Sequence, residues 1–260
     1  MLKYILRIYK ARYFWWSLVK ADLRNKYRRS MLGILWSLLY PLLFTLLLVF
    51  IFGNIFKSDV TYLMPYIYSG IVIWDAVANS FIVGSAAIIA SEPYIKQFAH
   101  PLAIYSLKQT LVIIINTLIS GIGMLAWCVI AKPGNITVIF LSLPATLILL
   151  FLLSWSITTI SAIINTKFRD YQQMIGLVIQ ALWFLTPVYF EKRIYIDAKL
   201  NYLLDYNPLA HLLNLVREPF LNGIIAPFID YLYVIGLIVI FGAFSILLIY
   251  KNEKEMIFYI

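Results

Sequence analysis

Charge is what this sequence has least of. Asp, Glu, Lys and Arg make up 13% of its 260 residues, against about 25% in soluble domains. A water-soluble fold of this size could not cover its surface with so few charges, so an ordinary soluble domain is excluded. Cysteine is nearly absent. Cys128 stands alone inside an apolar run, which excludes a disulfide framework and a thiolate metal cage. Histidine is limited to His100 and His211, and the chain offers no metal-ligand cluster and no suitably spaced carboxylate pair for a membrane-embedded transferase. There is no Gly-x-x-x-x-Gly-Lys-Ser/Thr phosphate loop, so nucleotide chemistry belongs to another chain. The first 33 residues lack the short apolar core and cleavage site of a signal peptide.

Hydrophobic residues, by contrast, make up 63% of the chain, with a mean hydropathy of +0.87. Runs of about 20 residues almost free of charge match a hydrocarbon core roughly 30 Å thick. The sequence predicts an all-α polytopic membrane protein with six transmembrane helices, at about 34–56, 65–90, 103–131, 137–164, 171–190 and 229–250. Lys and Arg set the orientation. With the N-terminus inside, the inner segments hold nine (1–33), two (Lys96, Lys108), two (Lys167, Arg169) and two (Lys251, Lys254). The outer segments hold six: Lys57, Lys132, Lys192, Arg193, Lys199 and Arg217. Both termini are therefore expected in the cytosol. The net charge of +9 reflects this placement rather than nucleic-acid binding.

Two units follow, 1–33 and the membrane domain 34–260. Residues 1–29 read as an amphipathic helix lying on the membrane. Lys3, Arg7, Lys10, Lys20, Arg24 and Arg28 fall on one side, Ile5, Tyr9, Trp16, Val19, Leu23 and Tyr27 on the other, and Arg12 and Phe14 break the pattern. Such a helix serves either as a positive-inside anchor or as a lever between a cytosolic partner and the first span. The outer segment 191–228 carries Pro208, Pro219 and Pro227 around apolar stretches 209–216 and 220–225. These are too short to span and long enough to dip back into the bilayer; a surface amphipathic helix is the alternative. Asp75 is the one acid well inside a span, a placement that costs about 2.5–3.5 kcal/mol. Structural pairing and an orientation toward a polar pathway both account for it. Proton coupling by a secondary transporter would call for further intramembrane acids or histidines.

Four motifs in order carry a family resemblance. The first runs from the basic cluster Arg24, Lys26, Arg28 and Arg29 through Ser30-Met31-Leu32-Gly33-Ile34-Leu35-Trp36 to Pro41-Leu42. The second is Glu92-Pro93-Tyr94-Ile95-Lys96 through His100-Pro101-Leu102. The third is Phe168-Arg169-Asp170, leading to Thr186-Pro187-Val188. The fourth is Asn207-Pro208-Leu209 followed by Val216-Arg217-Glu218. Together they resemble type-2 ABC exporter permeases, most closely the polysaccharide-export branch of O-antigen and teichoic-acid permeases. The resemblance implies a homodimer in the cytoplasmic (inner) membrane, driven by two ATP-binding subunits that hold ATP and Mg, with a lipid-linked glycan as substrate and no cofactor on this chain. It further implies that the second motif, through Glu92, Tyr94, Lys96, Phe98 and His100, and the turn Lys167, Arg169 and Asp170 contact the ATPase. The outer segment would be a re-entrant helical pair.

A glycan pathway needs aromatic faces and hydrogen-bonding groups with few fixed charges. Trp36, Tyr40 and Phe44 on span one and Gln172, Gln173, Gln180 and Trp183 on span five meet that description. Intramembrane amides are costly unless partners or a wet cavity compensate them. Aromatics near span ends also serve as interface anchors. A type-2 exporter of drugs or lipids would use the same residue types.

Overall fold

The structure, a computed structural model, describes residues 2–28, 30–57, 59–253 and 255–259. Arg29 and Lys254, both counted among the inner basic residues, lie outside them. The described residues form α-helices and turns without a strand. The helices are α1 (Leu2–Lys10), α2 (Arg12–Tyr27), α3 (Trp36–Phe56), α4 (Val60–Ile82), α5 (Glu92–Gln97), α6 (Ala103–Ala131), α7 (Ile136–Lys167), α8 (Tyr171–Leu185), α9 (Lys192–Asp197), α10 (Tyr202–Asp205), α11 (Pro208–Arg217) and α12 (Phe228–Asn252).

Five stretches are long and apolar enough to cross a membrane: Gly33–Ile55, Val60–Ala86, Ala103–Ala131, Pro133–Lys167 and Phe228–Asn252. The expected fifth span is shorter than the sequence pattern indicates. Helix α8 has 15 residues, about 22 Å at 1.5 Å per residue, and stops at Leu185 instead of continuing to 190. Thr186 takes an extended backbone, as the residue before a proline does, and 186–189 are buried without being helical. Helix α4 starts five residues before its expected position because Asp59 caps it, accepting from the Thr61 amide at 2.9 Å. Its α-helical part ends at Ile82 rather than at 90, and short 3-10 turns follow, 84–86 and 89–91.

Helix α4 is the centre of the bundle. It packs against α3, α6, α7, α8 and α11, while α12 lies at the rim against α7 and α11. Tyr66, Ile67, Leu150, Leu153, Ile157 and Leu212 are fully buried around it. A second core gathers at the end of the bundle where α2, α5 and the C-terminal tail meet, built from Leu18, Ile88, Leu102, Tyr105, Ile163 and Met256. This is the basic end; the opposite end carries 186–227.

The N-terminal segment corrects the sequence reading in two ways. It is two helices rather than one, broken at Ala11, where ψ is 14°. It also packs one face against the bundle, which the sequence reading did not anticipate. Ile8, Phe14, Trp15, Leu18 and Val19 lie against the start of α6, whereas Ile5, Tyr9 and Trp16 are exposed. Phe14, which broke the expected pattern, belongs to the buried face. Asp22 on α2 pairs with the buried Lys108 of α6 at 2.8 Å, which fixes α2 alongside α6. The outer segment differs too. It holds one helix, α11, of at least eight residues. Residues 218–222 continue that helix as a π turn, and the chain leaves at Gly223, whose φ of +68° suits a residue without Cβ. The expected second helix of a re-entrant pair is therefore not separate.

Candidate functional site

The motifs of the sequence gather at three places. At the basic end, Ser30 accepts from the Gly33 amide at 3.2 Å and Gly33 takes φ +50°. This turn, available to glycine at no steric cost, carries the chain from α2 into α3. Arg24 and Arg28 are exposed, Arg29 lies outside the described residues, and Lys26 reaches back to Asn116 Oδ1 at 3.1 Å.

Helix α5 is closed by the Glu92–Lys96 pair at 2.6 Å, with both side chains about half exposed. Tyr94, Phe98 and His100 surround the ring of Phe14 on α2, with centroids 6.3, 5.5 and 4.4 Å away. One side of each ring is committed to α2, while Tyr94 and Phe98 stay 37% and 47% exposed. The second turn is tied to the tail. Lys167 pairs with Glu255 at 3.3 Å and lies over the Tyr259 ring, and Arg169 donates to the Tyr259 carbonyl at 3.2 Å. Asp170 is exposed at the start of α8 and makes no side-chain cap. The same tail reaches the first turn, where Glu253 accepts from the Leu102 amide at 3.3 Å. Phe14 and the tail thus join the two turns into one surface, a connection that spacing within the sequence does not disclose.

At the far end the third and fourth motifs converge. Asn207 caps α11 by accepting from the Leu209 amide at 2.9 Å, with Pro208 at the first helical position, where its missing N–H costs nothing. Its own amide donates to Thr186 Oγ1 at 3.0 Å. Arg217, 2% exposed, donates to the carbonyls of Pro187 and Val188 at 2.6 Å each and to that of Tyr66 at 3.1 Å. Its guanidinium lies 3.6 Å over the Tyr66 ring, and burial lowers its pKa from the ordinary value. Glu218, next to Arg217 in the sequence, approaches Lys192 at 3.6 Å. Gly70 makes room: a Cβ there would lie 2.1 Å from the Val188 carbonyl oxygen. Tyr195 closes the site from α9, donating to Phe184 and Thr186 carbonyls, and burial pushes its phenol up to about 12. Next to it, His211 is hydrogen-bonded to the Asp230 carboxylate and stacks on Tyr233 at 4.1 Å.

The expected lining residues divide into three groups. Trp36 and Tyr40 border a cavity of about 530 Å³ between α3, α4 and α6, together with Asp75 and Asn79. Phe44 and Trp183 belong to an aromatic row. Tyr40 stacks on Phe44 at 6.2 Å, Phe44 meets Trp183 at 6.0 Å, and Trp183 stacks on Trp74 at 6.4 Å. Gln172, Gln173 and Gln180 are exposed on the outer surface of α8 and do not line that cavity. The sequence reading missed Gln109 and Asn116, which also border it. Their signal was available: two amides seven residues apart on one face of an apolar helix.

A family model described as ABC-2 type transporter matches residues 13–221. The chain is 27% identical over 233 residues to an O-antigen export system permease protein RfbA of Klebsiella pneumoniae, covering 85% of each. It is 25% identical over 224 residues to the protein of the same description from Myxococcus xanthus, covering 82% of each. With a polysialic acid transport protein KpsM of Escherichia coli it shares 25% identity over 248 residues, 92% of this chain and 93% of that one.

Proposed function

The chain belongs to the ABC-2 type transporter family, and from that premise we propose that it is the membrane-spanning subunit of an ATP-driven exporter of a lipid-linked polysaccharide. The observation that carries this reading is the extent of the match. It runs from α2 into the outer segment, residues 13–221, and the relatives, covered over 82% to 93% of their length, are described as O-antigen export permeases and a polysialic acid transport protein.

In this reading the basic end faces the cytosol and both termini lie there, as the distribution of Lys and Arg requires. ATP and Mg are held by two partner subunits. The surface made by α5, the Lys167–Asp170 turn and the tail receives their motion, and Phe14 passes it to α2 and so to α3. The exposed aromatics of α1 and α2, Tyr9, Tyr13 and Trp16, with Arg12 placed over Tyr9 and Tyr13, suit a membrane interface, where one side of a helix is apolar and the other wet.

Two copies of the chain complete the pathway. On one copy, α3 exposes Tyr40, Leu43, Leu47 and Phe50, and α8 exposes Gln172, Gln173 and Gln180. Amides are tolerable in a membrane only where water or partners compensate them, so the α8 face borders the wet pathway between copies. Helix α8 and the buried segment after it act as the sixth span.

The test is reconstitution of the chain with and without its separately encoded ATP-binding subunit. ATP-dependent movement of a lipid-linked glycan is expected only when both are present. Purified chain that hydrolyses ATP at a rate unaffected by the partner would overturn the reading.

A further inference from the structure

The cavity between α3, α4 and α6 is bordered at the basic end by Lys26 and Tyr27 of α2. Its volume of about 530 Å³ lies within the usual range for small-molecule sites, about 300–1,000 Å³. Helical spacing builds its polar lining. Asp75 and Asn79 lie on one face of α4, Gln109 and Asn116 on one face of α6, and Trp36 and Tyr40 on one face of α3.

The polar groups in this cavity are not equally satisfied. Asn116 is saturated: its Oδ1 accepts from Lys26 Nζ at 3.1 Å, from Ser37 at 2.9 Å and from the Tyr27 hydroxyl. Lys26 is thereby engaged by an amide rather than by Asp75. The Asp75 backbone carbonyl accepts from Asn79 Nδ2 at 2.8 Å, but among the described residues its carboxylate meets no donor and no cation. The Gln109 amide is likewise without a partner among the described residues. A carboxylate within a membrane span is expensive unless something donates to it.

The set selects among ligand chemistries. A lipid tail gains nothing from a carboxylate and three amides. A free anion is repelled by Asp75. A sugar ring fits each element: its hydroxyls donate to a carboxylate and to amide oxygens, its oxygens accept from amide N–H groups, and its apolar face stacks on an aromatic ring. The position fits as well: Lys26 and Tyr27 border one side of the cavity, and a basic and an aromatic side chain suit the membrane boundary, where the first sugar of a lipid-linked glycan must lie.

We propose that this cavity is a sugar-binding site for the carrier-proximal residue of the lipid-linked substrate, with Asp75 and Gln109 binding its hydroxyls and Trp36 its ring face. The proposal rests on the polysaccharide-export reading above.

The test uses the full chain in lipid nanodiscs, with Cys128→Ser and a reporter, Val83→Cys, at a cavity-lining position that is 44% exposed. Two probes are compared: polyprenyl diphosphate carrying one N-acetylhexosamine, and bare polyprenyl diphosphate. The sugar-bearing probe should slow labelling by a hydrophilic maleimide at least about fivefold, the bare lipid should leave it unchanged, and Asp75→Leu should abolish protection. Asp75→Asn, which keeps one acceptor oxygen, should retain part of it. An unchanged melting profile for Asp75→Leu separates loss of the site from loss of the fold. Equal protection by both probes assigns the cavity to the carrier and overturns the proposal, as does protection that survives Asp75→Leu. Sugar-specific protection in a chain that exports no glycan would sink the export reading while the site stands; export without protection would sink the site alone.

Discussion

The two ends of this molecule use charge in opposite ways. At the far end a set of charged groups is buried and bonded from within: Arg217 donates through its two terminal nitrogens to three backbone carbonyls, and His211 and Asp230 face each other at 7% and 3% exposure. At the basic end the pair of Asp22 with the buried Lys108 holds α2 in place, while the pairs on the turns, Glu92–Lys96 and Lys167–Glu255, are exposed. A buried, hydrogen-bonded charge holds a segment in one geometry, and removing its partner is costly. An exposed pair contributes little to stability, which leaves its atoms available to another chain. The far end is built to hold its own conformation and the basic end to be read from outside.

The largest effects on stability are therefore expected at the far end. Arg217→Ala removes the guanidinium that ties the Pro187 and Val188 carbonyls to that of Tyr66 and should cost about 3–5 kcal/mol, read as a large fall in melting temperature in detergent. Gly70→Ala should fall in the same range, because its Cβ would have to displace the Val188 carbonyl and the guanidinium together. The double variant should lose clearly less than the sum, since both act on one cluster; additive losses would show that the cluster is not a unit. Asp230→Ala comes next. Without the carboxylate, His211 and Asn214, which donates to it at 3.3 Å, lose a buried acceptor, for about 1–3 kcal/mol.

At the basic end the order reverses between stability and activity. Phe14→Ala removes the ring that Tyr94, Phe98 and His100 surround. It should cost about 1–2 kcal/mol and lower the export obtained per ATP hydrolysed. Smallest in stability is the charge reversal of Glu92 and Lys96, expected to shift folding by less than about 0.5 kcal/mol while uncoupling ATP hydrolysis from export. If that variant kept full export and bound its partner normally, docking would have to be assigned to other residues.

Much of the fold was legible because hydropathy acts over whole helices. Helix α6 begins and ends at the expected residues, and α7 and α12 do so within a few. The misjudged elements are those decided by single residues or by tertiary contact. Thr186 before Pro187 ends α8 early, Asp59 starts α4 early, and packing on α6 turns Phe14 inward. At the candidate site, the sequence marked Trp36 and Tyr40 apart from Asp75, and only the crossing of α3 and α4 brings them to one cavity. The convergence of Thr186-Pro187, Asn207-Pro208 and Arg217 joins residues more than twenty positions apart. No local periodicity encodes that contact.

The contrast between the ends is tested most directly by hydrogen exchange on the full chain, measured with and without the ATP-binding subunit. The account predicts added protection in 92–100 and 167–170 on binding, and little change in 207–217, whose amides are already protected by the helix and the Arg217 cluster. Protection confined to the far end, or exchange at 92–100 that ignores the partner, would contradict it.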